Sequence, residues 1–147
     1  MKFSLKGLFT AVLPLLGGLL CYLLFRPDTY ISTLIYGLLG IDGFKFNFPV
    51  NVLTTFTRNF VPDICWAVSL FLFLELIFSE KETAAVTTIL FAVLTEMLQM
   101  TDIMPGTFDV WDIIFETAGV ITAYAVTTRK GTTSSTSNPA PCNHSRQ

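Results

Sequence analysis

Charge is scarce in this chain and histidine almost missing. Of 147 residues only 14% are Asp, Glu, Lys or Arg, against 52% hydrophobic. The nine basic residues form no basic face and the net charge is −2, which excludes a nucleic-acid partner. The single histidine, His144, stands near the C-terminus, so the apolar segments have no imidazole for catalysis or metal ligation. The three cysteines build no framework: Cys21 and Cys65 lie in apolar runs, Cys142 in a polar tail, and none has the paired spacing of a zinc site or disulfide scaffold. Leu20 stands before Cys21, where lipoprotein processing wants a small side chain, so lipidation is not expected.

What fills the chain instead is apolar. Fourteen phenylalanines and a positive mean hydropathy point to one small integral membrane domain. The expected fold class is all-α, a polytopic bundle of four transmembrane helices over about 7–25, 64–78, 83–100 and 110–127, with short interfacial helices in the 26–62 loop. Residues 1–128 form the membrane domain. Residues 129–147, rich in Ser, Thr, Pro and Asn, are expected to be a disordered cytoplasmic tail. Its sequon Asn143-His144-Ser145 would go unused there.

The first apolar run ends in Leu-Leu-Phe-Arg-Pro-Asp rather than in small residues, so it reads as a retained helix and not a cleaved signal. Arg26-Pro27-Asp28 breaks it. Tyr30–Gly40 is apolar but too short to span, and Val50–Phe60 has the spacing of a surface helix. This long connection reads either as a cover over the helix mouths or as a functional loop. Pro62 and Asp63 suit the start of the second span. Glu75 stands apart, near the far end of that span. It reads as a glutamate bonded to a partner such as Lys81, or as a group in ion passage.

Orientation follows from the basic residues. Lys2, Lys6, Lys81, Arg129, Lys130 and Arg146 fall on one side of a four-span chain, and Arg26, Lys45 and Arg58 on the other. The positive-inside rule then puts both termini in the cytoplasm of a plasma membrane protein, with loops 26–62 and 101–109 outside.

The stretch from Glu96 to Gly119 holds five of the eleven acids and no lysine or arginine. Glu96 and Gln99 share a helix face, as do Asp109, Asp112, Glu116 and Gly119, with Pro105-Gly106 turning between them. Asn59 and Asp63 reach the same side from upstream. The candidate cluster is therefore Asn59, Asp63, Glu96, Gln99, Asp109, Asp112 and Glu116, with Gly119 letting a helix approach. Arg58 is the obvious nearby cation. So many carboxylates cannot all ionise together: some take protons, or a cation joins them.

Three uses fit. Glu96, Gln99, Asp112 and Asn59 could bond across helices as polar glue, with Asp109 as an N-cap. The cluster could bind a cationic or hydroxyl-rich envelope molecule such as a membrane lipid headgroup. Without a recognisable metal motif, its hard oxygens still admit Mg²⁺ or Ca²⁺. A carboxylate pair could also do acid–base catalysis, although no nucleophile motif accompanies it. A small carrier or immunity protein is a further class. No cofactor is called for, and oligomeric state is unassigned.

Glu96-x-x-Gln99, a loop with Gly106, then Phe108-Asp109-x-x-Asp112-x-x-x-Glu116-x-x-Gly119 resembles the signature of the VanZ-like family of small bacterial membrane proteins. The resemblance covers roughly residues 58–125. Thr107 stands where the family has arginine and Glu116 where it has asparagine, which makes this cluster more acidic. The resemblance implies a cell-envelope protein, binding a lipid-linked or cell-wall component and linked to glycopeptide tolerance. It implies no particular reaction.

Overall fold

A computed structural model of the chain describes residues 4–26, 28–40, 48–101 and 108–133. The Pro105-Gly106 turn, Gly106 and Thr107 of the motif, Lys2, Lys45, and the tail from residue 134 lie outside the described residues. Among those described, every regular element is helical: α1 (Leu5–Phe25), α2 (Tyr30–Leu39), α3 (Val52–Asn59), α4 (Val61–Ile77), α5 (Lys81–Gln99) and α6 (Val110–Thr133). Three stretches are long and apolar enough to cross a membrane: Leu5–Phe25, Val52–Ile77 and Val110–Arg129. α5 has 19 residues but carries Lys81, Glu82 and Glu96.

α1 begins where the Ser4 hydroxyl accepts from the Gly7 N–H (3.1 Å), an N-cap that satisfies one orphan donor. It runs through Pro14 without a break. A turn before the proline, the Ser69 hydroxyl of α4 donates to the Ala11 carbonyl (2.6 Å), a bond within the apolar interior. The other end of α1 also has help. Its last carbonyls lack intrahelical partners. The Tyr36 hydroxyl donates to the Leu23 carbonyl (2.7 Å) and the Ser32 hydroxyl to the Arg26 carbonyl (2.8 Å). α2 is thereby fastened to the C-terminus of α1, and Gly40, at φ +64°, closes it in the left-handed conformation glycine tolerates.

The expected surface helix over 50–60 is joined to the second span. α3 opens on an Asn51/Thr54 capping box and is interrupted only at Phe60, which itself keeps helical dihedrals. Pro62 removes one ladder bond at this junction but suits the opening turn of α4. α6 likewise runs past its expected end to Thr133, so residues 129–133 are helical rather than part of a disordered tail. No proline interrupts them.

α1 and α4 pack antiparallel. A Cβ on Gly18 would meet Cys65 Cβ at 2.9 Å and the Pro62 carbonyl oxygen at 3.2 Å, and a Cβ on Gly7 would strike the Leu76 side chain. α5 and α6 are also antiparallel. Lys81 Nζ donates to the Thr127 carbonyl (3.0 Å) at one end, and Glu96 meets Asp109 at the other. α4 and α6 therefore run the same way, and they too touch closely: a Cβ on Gly119 would meet Ile64 Cγ2 at 2.9 Å and Val68 Cγ2 at 3.3 Å. The helix that Gly119 was expected to admit is thus α4. Ala67 and Phe71 of α4, Ala84 of α5 and Val120 of α6 form the buried centre. Small residues at crossings permit the close packing that holds helices together in lipid. Leu5, Phe9, Leu13, Leu16 and Leu20 leave one apolar face of α1 exposed.

Leucine at Gly18 should force α1 off the α4 backbone and lower stability by roughly 1–3 kcal/mol. Gly17, with open space around it, should accept leucine with little change. Thermal unfolding of both variants in detergent measures the difference.

Candidate functional site

The antiparallel arrangement gathers the C-termini of α1 and α5 and the N-termini of α4 and α6 at one end of the bundle. Each brings charge: Arg26, the C-cap of α1; Asp63, in the first turn of α4; Glu96, in the last turn of α5; and Asp109, Asp112 and Glu116, at the start of α6.

The path of each helix decides which acids point inward. On α5 the buried residues are Ala84, Thr88, Ala92 and Glu96, spaced by four, so Glu96 ends a stripe facing the bundle. On α6, Glu116 and Val120 are buried one turn apart, beside Gly119. Glu96 and Glu116 each retain 5% exposure, whereas Asp63, Asp109 and Asp112 are half-buried. The Phe115 ring packs against Phe56 and Phe60, with centroids at 5.2 and 4.7 Å, and sets α6 against the α3–α4 junction.

Two of the acids have structural duties. Asp109 is the N-cap of α6: its Oδ1 accepts from the Trp111 N–H at 2.9 Å. Glu96 Oε2 accepts from the Asp109 N–H at 3.1 Å, tying the end of α5 to the start of α6. A carboxylate there also meets the positive end of the helix dipole.

The other acids are not bonded this way. The charges of Asp63, Glu96 and Asp112 all act on Glu116, and Asp63, Glu96 and Asp109 act on Asp112. Glu116 Oε2 is buried with no hydrogen-bond partner among the described residues. Of the polar-glue reading, Glu96 bonds across helices and Asp109 caps α6, while among the described residues Asn59, Gln99 and Asp112 make no side-chain hydrogen bond across helices. Asn59 ends α3 and Gln99 ends α5; both are at the right end of the bundle but untied to the carboxylates. The described residues also contain no group of three such side chains placed to share one metal ion.

The resident cation is Arg26, not Arg58. Arg26 acts on both Asp63 and Asp112, while its guanidinium donates to the Tyr22 hydroxyl (3.4 Å) and lies over that ring. Arg58 precedes Asp63 by five positions on a nearly continuous helix, which turns it about 140° away. Arg26 was legible only as a helix breaker, though antiparallel spans bring the end of the first to the start of the second. At the opposite end of the bundle Glu75 pairs with Lys81 (2.6 Å), the partner its spacing suggested.

No family model, no curated protein and no solved structure matches the chain. Among the described residues the protein is all-helical, with three helices long and apolar enough to cross a membrane and an acidic cluster at one end of the bundle.

Glu96→Ala should remove the bond to the α6 N-terminus and lower stability by roughly 1–2 kcal/mol. Glu96→Gln keeps a carbonyl acceptor and should lose clearly less. Chemical denaturation in mixed micelles reads the ranking.

Proposed function

We propose that the protein is a four-span membrane protein of the bacterial cell envelope, with α5 as the fourth span and both termini cytoplasmic, that binds the headgroup of a lipid or lipid-linked envelope component at the acidic cluster. The observation that carries this reading is Glu116 Oε2, buried without a partner among three other carboxylates. An unsatisfied buried polar group costs a fold roughly 1–3 kcal/mol, so its retention points to a group supplied from outside the chain. The location supports a lipid: the cluster lies at one end of an apolar bundle, where headgroups meet transmembrane helices.

The resemblance of Glu96–Gly119 to the VanZ-like pattern supports an envelope role, with glycopeptide tolerance as one physiological expression of it. The distribution of Lys and Arg supports outward placement of the cluster. Binding is favoured over turnover because Glu96 and Asp109 are occupied with the α6 N-terminus.

Two experiments test this. Glu116→Leu should leave thermal stability unchanged or raise it by about 1–3 kcal/mol while abolishing co-purification of a bound lipid in native mass spectrometry. Lower stability with unchanged lipid retention would instead assign Glu116 to the fold alone. For topology, Val50 is 94% exposed. A Val50→Cys variant in a cysteine-free background should react with an impermeant maleimide on intact cells. Reaction only after lysis would invert the arrangement.

A further inference from the structure

Glu116 is an acceptor in need of a donor. Among the described residues its Oε2 has no partner, the residue is 5% exposed, and the charges that act on it are those of Asp63, Glu96 and Asp112. Arg26 acts on Asp63 and Asp112. Two turns into α6, Glu116 is about 9 Å from the helix start, within reach of a group lodged between the helix ends.

A partner that both donates hydrogen bonds and carries positive charge would satisfy the open oxygen and offset the surrounding carboxylates. A primary ammonium does both, with three N–H donors that can engage separated carboxylates. We propose that the cluster recognises a primary ammonium group, held by Glu116 with Asp63 and Asp112 alongside. This assignment rests on the binding role given above and names the chemistry of its ligand. A lipid headgroup and a soluble amine share that chemistry.

The test uses the full chain in nanodiscs, with phosphatidylethanolamine, phosphatidylcholine and phosphatidylglycerol of identical acyl chains compared by native mass spectrometry. Phosphatidylcholine keeps the charge but has no N–H; phosphatidylglycerol has no nitrogen. Phosphatidylethanolamine should be retained on the order of tenfold better than either, since a charged hydrogen bond is at stake. Glu116→Gln should erase that preference. If that variant fails to fold, Glu116→Asp, which withdraws the carboxyl by one methylene, should weaken the preference. Arg26→Gln removes a competing cation and should strengthen it. Free ethanolamine competing with the same Glu116 dependence supports the assignment and identifies a soluble source; preference for the intact lipid supports it and identifies a membrane source.

Equal retention of phosphatidylethanolamine and phosphatidylcholine overturns the assignment, as does Mg²⁺ displacing the lipid through Glu116. Phosphatidylglycerol held with full dependence on Glu116 overturns the ammonium and leaves the lipid-binding reading intact. Loss of every cluster-dependent lipid signal overturns both.

Discussion

A carboxylate inside an apolar bundle must find a partner, and Glu116 finds none within the described residues. The rest of the site follows from how the helices put it there. Gly119 lets α6 lie against Ile64 and Val68 of α4, and the Phe115 ring is clasped by Phe56 and Phe60. Between these contacts the Glu116 side chain is buried. Glu96, at the end of the buried Ala84–Thr88–Ala92 stripe, secures the N-terminus of α6 through the Asp109 N–H. The acidic cluster is thus held in place by bonds at its edge while its deepest member is left open.

The two ends of the bundle differ in the same physical terms. At one, Lys81 is satisfied by Glu75 and by the Thr127 carbonyl, and the Tyr124 hydroxyl donates to Glu82. Charge there is matched and tied into the helix termini. At the other, Arg26 stands against several carboxylates, and the Glu116 oxygen has no bond. An end built only for stability would resemble the first.

Much of this was legible in the chain. Apolar length marked three of the four expected spans, and helical spacing put Glu96 on one face of its helix and Asp109, Asp112 and Glu116 on one face of theirs. Spacing gives the face of a helix but not which neighbour that face meets. Gly119 was therefore expected to admit a helix without saying which, and Arg58 was chosen over Arg26. Asn59 and Gln99 share the right end of the bundle, but polarity and position could not say whether their side chains would bond. The α3–α4 junction was hidden because Pro62 reads as a helix start even where Phe60 keeps the chain helical across it.

The central claim is that Glu116 is satisfied by a group from outside the chain. A high-resolution structure in lipid nanodiscs tests it most directly. Non-protein density within hydrogen-bond distance of Glu116 Oε2, between α4 and α6, is the result the account requires. A Glu116 carboxyl bonded to Asp63, Asp112 or a backbone carbonyl, with no room beside it, would contradict the account.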